Sequence, residues 1–129
     1  MRETFAGDIN GESPVRALEV RHNRSASLVS LRRFRGKLDG REGTFVLQGQ
    51  EIVENSNVTA KWFVVPGSGT GGLAGLRGEG GFEGHFGKGT DATLDYCSND
   101  PYSAIHVRAR LIAGEDFCVC CALPFDHEL

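Results

Sequence analysis

Turn-forming dipeptides divide the chain as far as Tyr96 into short apolar or alternating runs, at intervals of about ten residues. Asn10-Gly11 and Asp39-Gly40 are typical of two-residue hairpins, because both central residues of a type I′ turn need positive φ. The stretch ENSN at 54–57 makes a further break before the run VTAKWFVV. About six or seven strands at this spacing leave no space for crossover helices, so the pattern predicts an all-β antiparallel fold. Sequential hairpins favour a small up-and-down β-barrel over a sandwich.

Two runs follow Tyr96. AIHVRARLI alternates and is typical of an amphipathic strand, with one apolar face made by Ile105, Val107, Ala109 and Leu111. DFCVCCALPF is apolar throughout and is either a buried strand or a docked tail. We expect the chain from about Ser103 onward to pack on the barrel, or else to pair with a neighbouring subunit in a homo-oligomer.

The glycine-rich segment behind VTAKWFVV matches a dinucleotide-binding pattern, since Gly67, Gly69 and Gly72 spell G-x-G-x-x-G. That motif works only when a helix follows and points its N-terminus at the pyrophosphate. The next residues, LAGLRGEGGFEG, contain glycines that cost a helix roughly 1 kcal/mol each relative to alanine. We therefore expect no nucleotide cofactor, and we assign the glycines to sharp strand bends and close backbone contacts.

Charge and hydropathy limit the partners. The formal net charge is −3, which argues against nucleic acid, although eight of the fourteen Lys and Arg residues lie between Arg16 and Arg41. We interpret that basic cluster as a solvated strand face or edge. No apolar run approaches the roughly 18–20 residues of a membrane helix. The segment MRETFAGDING lacks the apolar core of a signal peptide, so a cytoplasmic location is expected.

The four cysteines lie in the last third of the chain, at Cys97, Cys118, Cys120 and Cys121. C-x-C-C lacks the paired spacing of a zinc site, even with His106 and His127 on either side. We therefore expect buried reduced thiols, with neither a metal ion nor disulfides.

Several stretches together resemble a known family. FAGDINGES, ASLVSLRRFRGKLDGREGTFVLQ, AKWFVVPGSGTGGLAGLRGEGGF and TLDY resemble bacterial proteins of domain-of-unknown-function family 3224. The resemblance covers about residues 5–96 and implies a small antiparallel barrel related to the allene oxide cyclases, with no assigned activity. We expect residues 1–129 to form one β-barrel domain, family-like over 1–96 and divergent over 97–129.

The chain also departs from the family's typical text. Family members usually have one more strand before the F-x-G-D start. The C-terminal segment, 97–129, therefore either replaces that strand in closing the barrel or is a poorly structured extension. Leu28 stands where the family often has an aromatic residue, Gly49 where it has histidine, and Arg32 and Gly72 where it has glutamate. An activity that depends on those groups is not expected to transfer.

Alternation predicts which side chains line a barrel lumen. Lys61 should face water, which places Trp62 inward, where it either fills the core or forms a platform for a ligand. By the same reasoning Phe45 and Leu47 share a face. The candidate ligand-binding residues are Trp62, Phe45, Leu47 and Glu12. The isolated groups within reach of a lumen, which define no catalytic set, are Glu12, Ser13, Glu79, Glu83, His85 and Asp95.

Two classes of function follow from these residues and from the resemblance. The first is a non-enzymatic barrel that binds a small hydrophobic molecule or is filled by its own side chains. The second is an isomerase or cyclase that acts on a hydrophobic epoxide or polyketide-like substrate, by analogy with the allene oxide cyclases. The motifs recognised above are all turn and corner residues, which favours the binding module.

Overall fold

The barrel is built almost entirely from strands. A computed structural model describes residues 2–85, 89–97 and 104–113. The strands of these ranges are β1 (Arg2–Gly7), β2 (Ile9–His22), β3 (Ser25–Leu38), β4 (Arg41–Glu54), β5 (Asn57–Val64), β6 (Thr70–Gly71), β7 (Arg77–His85), β8 (Thr90–Cys97) and β9 (Ile105–Ala113). All pairings are antiparallel, in the order β3-β2-β1-β9-β8-β7-β5-β4, and β4 pairs with β3 to complete the ring. The predicted up-and-down barrel is thus confirmed, and the described ranges contain no helix.

Of the two predicted hairpin turns, one is confirmed and one is misplaced. Asp39 and Gly40 connect β3 to β4 with φ of 51° and 82°, as a type I′ turn requires. The β1–β2 connection lies instead around Asp8, because Phe5 pairs with Gly11 inside the ladder. A Cβ on Gly11 would collide with the carbonyl oxygen of Arg35 on β3. The glycine therefore serves close strand contact rather than a turn.

Strand β9 closes the ring. Its residues pair with β1 on one side, Thr4 opposite Ile112, and with β8 on the other, Leu94 opposite Val107. Val107, Ala109 and Leu111 face inward and are buried. The run AIHVRARLI therefore acts as the closing strand, one of the alternatives stated above. The second run, DFCVCCALPF, with Cys118, Cys120 and Cys121, lies outside the described residues.

The glycine-rich segment leads into a strand. After β6 the chain turns through Leu73–Leu76 and enters β7 at Arg77, so the helix that a dinucleotide site needs is not formed there. A Cβ on Gly81 would collide with the carbonyl oxygen of Ala60 on β5. The assignment of these glycines to close strand packing is confirmed.

One end of the barrel is held by a side-chain contact between distant strands. The Tyr96 hydroxyl on β8 donates a hydrogen bond to Asp39 Oδ2 at 3.0 Å. Burial, together with the neighbouring Asp39 carboxylate, raises the pKa of Tyr96 against the opposing effect of Arg41. The folded protein therefore holds the phenol proton more tightly than the unfolded chain does.

A pH dependence of stability follows from this raised pKa. The stability due to the Tyr96 proton is fully present below the unfolded tyrosine pKa of about 10 and is lost as the pH rises through the higher folded pKa. We expect the urea midpoint of wild type to approach that of Tyr96→Phe as the pH rises above about 10. Midpoint curves that stay parallel over this range would contradict the assignment.

Candidate functional site

Aromatic rings fill the part of the lumen nearest the Tyr96 end. Trp62, Phe45 and Leu47 are all buried, so the inward orientation predicted for them is confirmed. Phe34 lies 4.7 Å from Phe45 and 5.7 Å from Phe5, and Phe5 lies 6.1 Å from Trp62, between ring centroids. Trp62 Nε1 donates to the carbonyl oxygen of Thr93 at 3.1 Å. These contacts give Trp62 a core-packing role, and ligand contact by these residues stays a prediction.

The prediction that Glu12 lines the lumen is wrong, and the neighbouring residue Ser13 faces inward instead. The Glu12 side chain lies on the outer surface, paired with Arg2 at 2.8 Å, while Ser13 beside it is buried. Because the β1–β2 turn lies around Asp8, the alternation of β2 brings Ser13 inward. The other isolated groups are exposed on the outer face as well: Glu79, Glu83, His85 and Asp95.

Four buried polar side chains among the described residues form what we call the charged cluster: Glu3, Ser30, Arg32 and Glu51, each at most 5% exposed. A second, less buried ion pair, Glu19 with Arg21 at 3.3 Å, lies on the same inner face of β2 as Ser13. Arg32 Nε donates to Glu3 Oε1 at 2.5 Å, and Arg32 Nη2 donates to Glu3 Oε2 at 3.4 Å. Its Nη1 donates to Glu51 Oε1 and to Ser30 Oγ, both at 2.8 Å. The Ser30 hydroxyl in turn donates to Glu51 Oε1 at 2.7 Å. One guanidinium thus bridges two carboxylates from different strands.

Electrostatics keep this guanidinium charged. Burial alone lowers the pKa of Arg32, but the charges and hydrogen bonds of Glu3 and Glu51 together outweigh that effect and raise it. The guanidinium also stacks over aromatic faces, 5.2 Å from the ring centre of Trp62 and 5.9 Å from that of Phe82. The cluster is therefore a fixed cation held between two acids and two rings.

Two polar atoms beside this cation have no hydrogen-bond partner among the described residues. They are Glu51 Oε2 and Ser13 Oγ, and both are fully buried; Glu19 Oε2, in the ion pair with Arg21, is another buried acceptor of this kind. Ser13 lies directly opposite Glu3 in the β1–β2 ladder. Buried polar atoms normally have partners, and a carboxylate oxygen without one is costly to keep. The charged cluster therefore has unused capacity to accept a hydrogen bond.

Beyond the charged cluster lies a second, smaller apolar group, which we call the aliphatic cluster. It consists of buried Ala26, Leu28, Val53 and Val58, with half-buried Ala17 and Phe82 packed against them. Glu51 pairs across the sheet with Leu28 and stands two residues before Val53 on β4. The charged cluster therefore lies between the aromatic part of the lumen and an aliphatic part, and Phe82 packs against both parts.

The outer surface of β2, β3 and β4 is apolar where the aliphatic cluster lies behind it. Leu18 is 65% exposed and pairs with Val29, which is 57% exposed. A groove of about 720 Å³ runs over these strands, lined by residues 15–18, residues 29–31 and Gln48. Such a face is typical of an interaction surface, and the expected homo-oligomer stays a prediction that it supports.

The basic residues of β3 are divided between the two faces of the strand. Arg33, Arg35 and Lys37 are exposed, as a solvated face requires, but Arg32 points inward. Sequence reasoning missed Arg32, Glu3 and Glu51 as lumen groups. One pattern identifies the first of them: Arg32 has the parity of the inward Leu28 and Phe34. Arg32 and Gly49, both departures from the family text, border this part of the lumen.

Outside the barrel, Asp95 accepts a hydrogen bond from His106 Nδ1 across β8 and β9, and Arg108 Nε donates to His106 Nε2 at 3.5 Å. Within the described ranges, no group of three or more histidine, cysteine, aspartate or glutamate side chains is placed to hold a metal ion. Cys97 is a free, half-buried thiol. Among the described residues, no helix has the length and hydropathy needed to span a membrane.

Comparison with known proteins agrees with the resemblance read from the sequence. No curated protein matches the chain. A family described as a protein of unknown function, DUF3224, matches residues 1–96, which include β1 to β8 except the final residue of β8. The closing strand β9 lies beyond the match. Since the match covers most of the 129 residues, the chain belongs to the DUF3224 family.

Proposed function

We propose that the protein is a binding module that holds a small hydrophobic molecule inside the barrel without transforming it. The observation that carries this proposal is the division of the lumen: an aliphatic cluster lies beside buried charges that retain an unused acceptor. Apolar walls with a few convergent polar groups are the usual composition of a small-molecule site. An eight-stranded barrel is just wide enough for its side chains or for one small ligand.

The aliphatic cluster is the better place for such a ligand. The aromatic part of the lumen is occupied by contacts among its own rings. At the aliphatic cluster the side chains are short, and Ala17 and Phe82 are only half-buried. Small displacements there open space at lower cost than displacing stacked rings does. A cytoplasmic location is part of this proposal, and the free thiol of Cys97 fits a reducing compartment.

The test uses Trp62, the only tryptophan of the chain, as a reporter inside the barrel. We expect a thermal-shift screen of fatty acids, polyketides and their epoxides to find ligands that also change Trp62 fluorescence. Ala17→Leu, which fills the half-buried side of the aliphatic cluster, should weaken binding at least about tenfold, or roughly 1.4 kcal/mol. Ser27→Leu adds the same side chain on the outer face and should leave binding unchanged. Equal weakening by both variants, or no binding by any screened compound or by alkyl probes with cationic, neutral and anionic head groups, would refute the proposal.

A second candidate function is an isomerase or cyclase for a hydrophobic epoxide. It is favoured by the Glu51 carboxylate, whose free oxygen lies beside a fixed guanidinium, an arrangement of base and cation suited to proton transfer. The likeness to allene oxide cyclases that the sequence resemblance implies supports it only as an analogy of fold. Turnover of an epoxide that is lost in Glu51→Gln, but kept in the outer-face control Glu79→Gln, would favour this candidate over binding alone.

A further inference from the structure

We infer that the molecule held in the barrel is an alkyl amine, whose ammonium group pairs with Glu51 and whose chain lies over the aliphatic cluster. This inference rests on the proposed binding function and names the class of its ligand. It follows from three properties of the charged cluster: its hydrogen-bond inventory, its net charge and its position.

The hydrogen-bond inventory requires a donor. Glu3 uses both carboxylate oxygens on Arg32, and Glu51 Oε1 accepts from both Ser30 and Arg32. Glu51 Oε2 is therefore the one carboxylate oxygen of the charged cluster that accepts nothing from a described residue. An ionised carboxylate can only accept hydrogen bonds, so the missing partner must donate. Amines, alcohols and water meet this requirement, whereas an ionised carboxylic acid does not.

The charge count selects among these donors. Two buried carboxylates face one buried guanidinium, and the Glu19–Arg21 pair on the inner face of β2 adds one charge of each sign, so the net charge of these ionised groups is −1. Burying an uncompensated charge is expensive, and a neutral alcohol or water supplies a hydrogen bond without compensating it. A primary ammonium supplies both the hydrogen and a positive charge. A fatty-acid carboxylate would add a second uncompensated negative charge.

The position of Glu51 suits a ligand that is polar at one end and apolar along its length. Leu28 flanks Glu51 on β3, Ala60 flanks it on β5, and Val53 follows on the same face of β4. All three are buried and apolar. An ammonium at Glu51 would therefore leave its alkyl chain against the aliphatic cluster, where each buried methylene adds to the affinity.

The experiment compares three probes of equal chain length, octylamine, octanol and octanoic acid, by Trp62 fluorescence and melting temperature at pH 7. Octylamine is protonated at this pH, as the lysine side chain is, and octanoic acid is ionised. We expect octylamine to bind the wild-type protein at least about tenfold more tightly than octanoic acid, with octanol between them. Glu51→Gln should abolish the preference, whereas Glu54→Gln, exposed on the same strand, should preserve it.

The outcomes separate this inference from the proposal on which it rests. Equal binding of the three probes by wild type, or an amine preference that survives in Glu51→Gln, would overturn the inference and leave a hydrophobic binding site in place. No binding of any probe would overturn both. An amine preference that is lost in Glu51→Gln and kept in Glu54→Gln would support both.

Discussion

Replacing Arg32 with methionine is expected to destabilise the barrel by about 3–5 kcal/mol, because it leaves two buried carboxylates without their cation. Glu3 and Glu51 both take hydrogen bonds from this guanidinium, and both are within 5% of complete burial. The loss therefore includes the desolvation cost of two charges as well as the hydrogen bonds themselves. Urea unfolding at pH 7 measures it directly.

The adjacent residue provides the matched control. Arg33 is exposed, so Arg33→Met should change stability by no more than about 0.5 kcal/mol. The combined variant Glu3→Gln, Arg32→Met, Glu51→Gln should recover much of the loss, since no charge then remains buried. A combined variant no more stable than Arg32→Met alone would contradict the buried-charge explanation.

Introducing aspartate at Leu111 is expected to abolish folding at pH 7. Leu111 faces the lumen on β9 between Phe5 of β1 and Thr90 of β8, and it is 3% exposed. An unpaired carboxylate there costs several kcal/mol in addition to the lost leucine packing, which is comparable with the whole stability of a small domain. Circular dichroism and a thermal melt are sufficient readouts.

The control for this variant places the same charge one residue later. Ile112 is 48% exposed on the outer face, so Ile112→Asp should fold with a melting temperature close to that of wild type. A folded, cooperatively melting Leu111→Asp protein would show that β9 does not close the barrel in solution. An equal loss of stability in both variants would show that the inward and outward faces of β9 do not differ in burial.

Most of the fold follows from local rules visible in the sequence. Asp39-Gly40 forms a turn because its backbone requires positive φ, and Trp62 faces inward because Lys61 beside it must reach water. The Asn10-Gly11 turn was misplaced because the same dipeptide also suits a crowded strand crossing, and the strand that crowds it, β3, is distant in sequence. Glu12 and Ser13 were both placed within reach of the lumen, and only the register of β2 against β1 decides that Ser13 faces inward and Glu12 outward.

The charged cluster could not be predicted because alternation assigns charged residues to the solvent side. Arg32 is one of four basic residues on β3, and the other three, Arg33, Arg35 and Lys37, face water. Its burial is tolerable only because Glu3 and Glu51 meet it from β1 and β4, at separations of 29 and 19 residues. The parity of Arg32 with Leu28 and Phe34 indicates that its side chain points inward, but its partners on distant strands leave no local pattern, and only the three-dimensional register reveals them.

The pairing of β1 with β9 also determines when the barrel can be completed during synthesis. Thr4 and Ile112 are partners although more than a hundred residues separate them. Contacts of such long range are slow to form, since the entropy of closing the intervening chain must be lost first. On a ribosome, β1 emerges early and must wait for β9 with one edge unpaired. That interval is when the nascent chain is most exposed to strand-mediated aggregation, and chaperone demand should fall once residue 113 has emerged.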